Sequence, residues 1–449
     1  MKILNIKLLA LIAISASSVL AMSAAEPEGV LYLDQRKCRD MAIAASEDLQ
    51  KSGNSVAQAE LDRKIAFSGF LPAFDASASG VFVAPDTEMS GMELIMRGTY
   101  LAGITITQPL YAGGKIVAGH RLAKISEEAA AEQYRKTKTE VIYDADNAYW
   151  TYVSVIEKQK MMEALSARMD TLFSQVGASI GAGMAVESDL LTVKAKRSEV
   201  LYQKQKVESG ARLCRMALCR IVGVPFDTLI EVADPMSGDF IQMNPEVDIT
   251  ERPEMKLLQT QVDAAKQQVR MTRGDWLPSL AIVGGYVNFG NIKMKTMVDV
   301  GDGNFMPYEQ KIGQGLGTAM LSLSVPIFKW GQNYNKVRKA KIDVDNALLD
   351  LQKNEKLLTL EAQQASMNLT DSYMLLETAE AAMAEADENL RIMKNRHDVS
   401  MAPLSDLLEA QSQWQQSRSN LIEAVTQTRL CTTDFLRATG RLVPVQESE

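Results

Sequence analysis

The segment "SMAPLSDLLEAQ" (residues 400–411) repeats an earlier segment of the same chain, "GMAVESDLLTVK" (residues 183–194). The two are offset by 217 positions, and the same offset aligns "RLAKI" (residues 121–125) with "RKAKI" (residues 338–342). More than 110 residues align at this offset without a gap. Self-similarity of this length marks a duplicated structural unit, far longer than solenoid repeats of roughly 20–50 residues.

Two proline-free stretches, from Gly114 to about Val176 and from Gly331 to about Arg396, predict very long helices. Within the second, the steps between seam positions from Val344 to Met393 alternate between four and three, and thirteen of the fifteen positions are apolar. This alternation is typical of a left-handed coiled coil. At about 1.5 Å per residue, some 65 residues make a rod of roughly 100 Å. Shorter helices at about 186–222 and 403–439 return from the repeated turns.

A shorter helical segment precedes each long helix. Residues Leu33–Phe67 run into the motif "FLPAF" (residues 70–74), and residues Thr250–Arg273 run into "WLPSL" (residues 276–280). Proline cannot continue a helix, because it lacks the amide donor and its ring clashes with the preceding turn. Both helices are therefore predicted to stop at these motifs.

Pairs of strands fill the space between each proline motif and the following long helix. From Ile104 to Thr107 and from Leu321 to Val325, apolar residues alternate with Thr or Ser, which predicts strands with one apolar and one polar face. Polar loops at about 85–98 and 292–315 are expected to join the members of each pair. The chain thus has four two-faced strands, two in each half.

Such strands cross lipid only as part of a closed barrel, because unsatisfied backbone groups at a sheet edge cost several kcal/mol each in hydrocarbon. Small barrels need about eight strands. Copies of the chain must therefore share one barrel: two copies supply eight strands and three supply twelve. Five aromatic residues at the helix-side ends of the strands fit a girdle at the lipid boundary, with packing at a strand-to-helix hinge as the alternative: Phe70, Tyr111, Trp276, Phe328 and Trp330.

Residues 1–25 are predicted to be a secretory signal peptide. Lys2 and Lys7 lie at the start of a mainly apolar run at 3–14, and small residues precede the two candidate cleavage points, after Ala21 or Ala25. Beyond it, no apolar run approaches the roughly 20 residues of a spanning helix. The net charge of −8 argues against nucleic acid as a partner.

Nothing in the sequence predicts catalysis, a cofactor or a bound metal. The two histidines, His120 and His397, are far apart, and "YAGGK" lacks the first glycine of a phosphate loop. The 24 methionines invite a metal-export interpretation, but methionine at seam positions is more simply core filling. The four cysteines are expected to be buried free thiols, with a pairing of Cys38 left open.

These residues together resemble the TolC-like outer-membrane efflux proteins. The resemblance covers nearly the whole chain after the signal peptide, and it depends on "RPEMKLLQTQVDAAKQQVRMTRGDWLPSL" (252–280), "QPLYAGGK", "VPIFKWGQ" and "SDLLEAQ". It implies a mainly α fold with a β-barrel contribution: long antiparallel coiled-coil hairpins and four transmembrane strands per chain, duplicated internally. Three chains would form a twelve-stranded barrel and an α-helical tunnel.

The predicted organisation follows the duplication. Residues 26–225 form the first repeat, 226–249 a linker or equatorial segment, 250–441 the second repeat and 442–449 a C-terminal tail. The resemblance places the protein in the outer membrane of a Gram-negative bacterium, with a large periplasmic part. It implies a homotrimer that contacts outer-membrane lipid, a periplasmic adaptor protein and an inner-membrane transporter of the RND or ABC type.

The resemblance also implies functional positions at the helical tips. Asp406 and Glu409 match the aperture carboxylates of the family, and Asp189 is the first-half equivalent of Asp406; ordinary helix-start chemistry is the alternative. The adaptor would dock at the turns, at residues Gly183, Met184, Ser400 and Met401. The chain departs from the family near the second turn, where His397 and Ser400 replace the usual Tyr and Gly.

The expected function is the exit duct of a tripartite efflux pump for drugs or other small molecules. The exit duct of a type I protein secretion system is the alternative within the family, and the sequence does not choose between them. A periplasmic coiled-coil structural protein without a pore is the alternative from another class. It explains the heptads but not the four two-faced strands.

Overall fold

The computed structural model describes residues 30–89, 92–181, 183, 186–232, 247–299, 305–399 and 401–443. Contacts divide the chain into two compact units, and each unit contains parts of both repeats. Unit 1 comprises residues 1–47, 139–246 and 364–437, and unit 2 comprises residues 48–138, 247–363 and 438–449. The predicted signal peptide and most of the predicted linker and tail lie outside the described residues.

Seven α-helices occur in the described part of the chain. Their bounds are α1 (Gln35–Ala45), α2 (Glu47–Ser68), α3 (Lys115–Gly181), α4 (Glu187–Val222), α5 (Pro253–Arg273), α6 (Gln332–Asp398) and α7 (Leu404–Ala438). Helices α3 and α6 have 67 residues each, which confirms the two long helices and their shorter return partners. Among the described residues, no helix is both long enough and apolar enough to cross a membrane.

The first helical segment differs from its prediction. Residues Leu33–Phe67 are not one helix, because Ser46 adopts an extended conformation (φ −68°, ψ 114°) between α1 and α2. The amide of Ser46 donates to the carbonyl of Ala42 at 3.0 Å and so closes α1. A short strand before α1, β1 (Leu31–Leu33), pairs in parallel with β6 (Ile230–Val232), and neither strand was predicted.

The coiled-coil seam of α6 is buried along its second half. Ala362, Ala365 and Leu369 are at most 2% exposed, whereas Leu348, nearer the start of the helix, is 39% exposed. In unit 1 the seam joins a core in which α3, α4, α6 and α7 all contribute apolar side chains, with Met383 of α6 at 6% exposure. The predicted seam is therefore confirmed where a partner helix of the same chain covers it.

Six strands make one antiparallel sheet in unit 2. They are β2 (Ala73–Phe82), β3 (Thr87–Met89), β4 (Met92–Ile95), β5 (Arg97–Ala112), β7 (Ser279–Asp299) and β8 (Phe305–Ser324). The four long strands lie in the order β2-β5-β7-β8, and the short pair β3-β4 joins the far part of β7. Strands β2, β5, β7 and β8 are the four predicted ones.

The predicted loops at 85–98 and 292–315 are wrong in extent, because most of these residues belong to strands. Strands β7 and β8 stay paired as far as Asp299 opposite Phe305. The polar residues that looked like loop form ion pairs across strands, as in Lys293 with Glu309 at 3.3 Å. Opposite charges on facing strands stabilise a hairpin, so polarity alone did not identify a loop here.

The strand register confirms two distinct faces of the sheet. One row across β2, β5, β7 and β8 contains Ala76, Ile104, Tyr286 and Gly317. The next row, whose side chains lie on the opposite face, contains Asp75, Thr105, Gly285 and Thr318. Large apolar side chains are exposed on the first face, with Ile104 and Tyr286 both at 57%. The sheet thus has one face whose large apolar side chains are exposed.

Candidate functional site

The two carboxylates expected at the aperture lie on the exposed side of α7. The buried side of the first turns contains Leu404, Leu407 and Ala410. Asp406 and Glu409, three residues apart, share the other side and are both exposed. Asp406 accepts a hydrogen bond from the Ser405 hydroxyl at 3.1 Å, and Glu409 accepts one from the Gln413 amide at 3.2 Å. Both carboxylates are therefore available to a ligand or a neighbouring chain.

Asp189 occupies the matching place in the first turn of α4. Its amide donates to the carbonyl of Val186 at 3.0 Å, and Glu187 adds a second acid to the same turn. The positive end of a helix dipole stabilises acids in this position. The geometry brings Asp406 and Glu409 onto one helix face, whereas Asp189 is on a different helix and is half-buried.

The two turns differ in how they are closed. Gly183 has a φ of 73°, a left-handed conformation that favours glycine, and its amide donates to the carbonyl of Ile180 at 2.9 Å. At the second turn, Met401 is 80% exposed and its amide donates to the carbonyl of Arg396 at 2.8 Å. The other two predicted docking residues, Met184 and Ser400, lie outside the described residues.

His397, one of the departures from the family, contacts the second turn. Its Nδ1 lies 3.1 Å from the carbonyl oxygen of Ala402. A carbonyl oxygen only accepts, so Nδ1 donates the proton in this hydrogen bond. The imidazole thus bridges the end of α6 and the segment that leads into α7.

A contact among three residues of unit 1, Arg168, Asp387 and Trp414, was not predicted from the sequence. The indole Nε1 of Trp414 donates to the Asp387 carboxylate at 2.5 Å, and the Arg168 guanidinium lies 4.7 Å from the centre of the Trp414 ring. The three residues come from α7, α6 and α3. They border a cavity of about 380 Å³ that is also lined by Leu172, Gln175, Leu390, Arg391, Lys394 and Leu407. No sequence signal links residues so far apart.

A buried charge cluster in unit 1 was also missed. Asp146 is 1% exposed and accepts hydrogen bonds from Arg39 and from the hydroxyl of Thr433, the latter at 2.9 Å. The hydrogen bond to Asp146 raises the pKa of Arg39. Beside them, burial raises the pKa of the Cys38 thiol to about 12, and the charge of Asp146 adds to that effect. All four cysteines are free thiols, but only Cys38, Cys219 and Cys431 are buried as predicted, and Cys214 is half-buried.

Four of the five expected girdle aromatics have exposed rings. Trp330 is 90% exposed and Phe328 70%, and their rings touch at 5.0 Å between centroids. Trp276 and Tyr111 are about half exposed. Phe70 differs, since its half-buried ring packs against other rings of unit 2. The exposed rings lie directly beside the ends of β5, β7 and β8.

Trp330 also has an unusual backbone. Its φ is 47°, and Gly331 follows at 74°, whereas the matching residues of the first repeat are two glycines, Gly113 at 63° and Gly114 at 76°. A bulky residue in the left-handed region costs of order 1–3 kcal/mol and persists only where the surroundings impose it. Both repeats thus make the same left-handed turn between a strand and a long helix.

Comparisons with known proteins give one consistent family. The family model described as "Outer membrane efflux protein" matches residues 38–218 and 248–441. Outer membrane protein TolC of Vibrio cholerae serotype O1 is 21% identical over 346 residues, which are 76% of each chain. Toxin and drug export protein A of Aggregatibacter actinomycetemcomitans is 19% identical over 88% of this chain and 84% of its own.

Solved structures show the same fold. The Campylobacter jejuni CmeC outer membrane channel superposes with a TM-score of 0.72 at 20% identity, over 92% of this chain and 87% of its own. At this level of identity the likeness concerns the fold alone.

Proposed function

The chain belongs to the outer membrane efflux protein family, and from this premise we propose that it acts as a trimeric outer-membrane channel with a periplasmic tunnel. This channel serves as the exit duct of a tripartite efflux pump for drugs or other small molecules. The observation that carries the proposal is the direct connection of a two-faced sheet, with exposed apolar side chains on one face, to two helices of 67 residues. A sheet of this kind suits lipid, and helices of this length suit a tunnel wall.

The edges of the sheet support self-association. In the described part of the chain, β2 pairs only with β5 and β8 only with β7, so each long edge strand has one free side. In lipid those backbone groups require partners. Pairing β8 of one copy with β2 of the next satisfies them, and three copies give a closed barrel of twelve strands.

Helix α6 offers a second surface for neighbouring copies. Along its first half, three leucines outside the seam, Leu349, Leu357 and Leu360, are 62%, 52% and 59% exposed. Exposed apolar patches of this kind mark interaction sites. Contacts along this surface would bury them in the trimer.

The proposed periplasmic gate consists of Asp406, Glu409 and Asp189. Three copies of Asp406 and Glu409 bring six carboxylates towards one axis, where they repel one another unless cations bridge them. Such a ring favours cations and opposes anions. Their exposed position on α7 supports this role.

The proposed partners are a periplasmic adaptor and an inner-membrane transporter of the RND or ABC type. The adaptor docks at the helical turns around Gly183, Met184, Ser400 and Met401. The 80% exposure of Met401 supports this placement, because exposed methionine adapts to an apolar partner surface.

Type I protein secretion is a second candidate function. The name of one relative, Toxin and drug export protein A, includes both toxin and drug cargo, so protein export is retained as a candidate. Crosslinking in cells, followed by identification of the captured inner-membrane protein, separates them. Capture of an RND transporter supports small-molecule efflux, and capture of a dedicated secretion ATPase overturns it in favour of protein export.

A further inference from the structure

A cleft of about 430 Å³ lies in unit 2, where the end of α5 meets the start of α6. It is lined by Arg273, Trp276, Tyr334, Val337, Arg338 and Lys341. Its volume falls in the range of roughly 300–1,000 Å³ typical of small-molecule sites. Among its lining residues, only Trp276 was a predicted functional position, as an aromatic residue at the membrane boundary.

The lining is positively charged. Three of the six side chains are cationic, and none is acidic. Within the described ranges, no ion pair involves Arg273, Arg338 or Lys341. The nearby Asp275 is already bound to Lys115 at 2.5 Å, which lowers the pKa of that carboxyl. The cleft therefore has an uncompensated positive charge.

The start of α6 adds to this charge. Its first turn has no acidic residue, and "KVRKAK" (residues 336–341) supplies four cations without an acid. These four cations follow directly after the first turn of α6, so positive charge accumulates near the positive end of the helix dipole. This second feature points to the same kind of ligand.

The first repeat shows what a closed version of the cleft looks like. Phe67 and His120 occupy the places of Arg273 and Val337 there. Their rings lie 5.9 Å apart, and both pack against Phe70, the equivalent of Trp276. Three rings thus fill the position that the second repeat leaves open. The two repeats therefore differ at the positions whose side chains either fill this cleft or leave it open.

We propose that this cleft binds the phosphate headgroup of an anionic glycerophospholipid from the periplasmic leaflet of the outer membrane. The guanidinium groups of Arg273 and Arg338 suit the phosphate oxygens, and Lys341 adds a third donor. Trp276 and Tyr334, which are 50% and 57% exposed, supply the amphipathic rings that favour a headgroup boundary. The proposal rests on the proposed function, since it requires β7 and β8 to lie in the membrane.

The test uses the full-length protein, purified from outer membranes in detergent. Native mass spectrometry measures retention of dioleoylphosphatidylglycerol against dioleoylphosphatidylcholine, which has the same acyl chains without net charge. Selective retention of the anionic lipid supports the site, and equal retention of both lipids overturns it. This comparison needs no variant, so a folding defect cannot obscure it.

Two variants then locate the lipid. Arg273→Gln with Arg338→Gln and Lys341→Gln weakens binding by roughly a hundredfold, because each cation near an anionic surface contributes about fivefold. Arg273→Phe with Val337→His rebuilds the ring cluster of the first repeat and is expected to exclude the lipid. The matched control, Lys339→Gln with Lys353→Gln and Lys356→Gln, removes three exposed cations of α6 outside the cleft. Unchanged binding in the first two variants, or an equal loss in the control, contradicts the proposal.

Two further arms identify the source of the anion. Inorganic phosphate at millimolar concentration should not displace the lipid, and displacement would assign the cleft to free phosphate instead. A soluble peptidoglycan fragment should not compete either, and competition would overturn the lipid in favour of the cell wall. Single-channel conductance is recorded on the same samples. If the samples conduct ions but show no lipid selectivity, the headgroup site is contradicted, whereas the proposed channel function is not.

Discussion

The guanidinium of Arg39 donates two hydrogen bonds to the Asp146 carboxylate, at 2.7 and 2.5 Å. Asp146 is 1% exposed, and its hydrogen bonds connect α1, α3 and α7 within unit 1. A buried carboxylate of this kind holds its partners only while it remains charged and present. It therefore defines a place where a small change in sequence has a large effect on stability.

Removing this carboxylate should destabilise the protein strongly. Asp146→Ala leaves Arg39 and Thr433 without their acceptor, and the expected loss is about 3 kcal/mol in free energy of unfolding. The control is Asp170→Ala. Asp170 also contacts an arginine, Arg197, at 2.5 Å, but its side chain is 50% exposed. That pair is expected to contribute about 0.2–1 kcal/mol. Thermal melting in detergent measures both, and equal losses would contradict the assigned role of Asp146.

Two adjacent glycines allow a comparison of steric and conformational effects. Gly113 and Gly114 both have positive φ, but a Cβ on Gly113 would meet the carbonyl oxygen of Gly274, while one on Gly114 would meet nothing within 4 Å. Gly114→Ala should cost about 1 kcal/mol, and Gly113→Ala about 2–4 kcal/mol, because overpacking adds to the backbone strain. Melting midpoints distinguish the two, and identical midpoints would show that the strand-to-helix turn adjusts freely.

Cys38 should be unreactive in the folded protein. Its pKa is raised from 9.0 to about 12, so almost no thiolate is present at pH 8. Iodoacetamide at pH 8 is expected to modify Cys38 only after unfolding, as read by peptide mass spectrometry. Rapid labelling of the native protein would contradict its burial.

The same raised pKa predicts a pH dependence of stability. Above pH 9.0 the unfolded chain loses the thiol proton while the folded chain keeps it up to about pH 12. Stability is thus intact below pH 9 and falls as the pH rises through this window. Cys38→Ala should make the decline shallower than in the wild type. Superimposable curves would exclude a contribution from this thiol.

Neutralising the proposed gate should open the channel. Asp406→Ala with Glu409→Ala removes the charges that cations bridge, and we expect a severalfold rise in single-channel conductance and weaker block by divalent cations. Glu423→Ala, an exposed acid further along α7, serves as the control and should leave both unchanged. Unchanged conductance and unchanged divalent-cation block in the double variant would contradict the proposed gate.

The duplication and the helical pattern determined most of the fold from sequence alone. The absence of proline predicted α3 and α6, heptad spacing predicted the coiled-coil seam of α6, and the repeated turns predicted α4 and α7 within two residues at their starts. Strand alternation predicted both faces of the sheet. These features succeed because each is a local periodic signal that tertiary contacts reinforce.

Most of the features that the sequence did not predict have a different cause. Ser46 breaks a continuous helical pattern, and Lys293 and Glu309 look like loop residues until their strands are paired. Asp146 and Trp414 likewise gain their significance from partners more than twenty residues away. Contacts between distant residues decide the last three cases, and a single sequence contains no local record of them. Ser46 instead ends α1 with a local hydrogen bond to Ala42.

In the proposed channel, copies of this chain donate their strands to one shared barrel. The most direct measurement is the native mass of the protein extracted from outer membranes, combined with conductance of the same species in planar bilayers. We expect a species with the mass of three chains that withstands mild detergent and forms discrete ion-conducting pores. A stable single chain, soluble without detergent and unable to conduct, would contradict it.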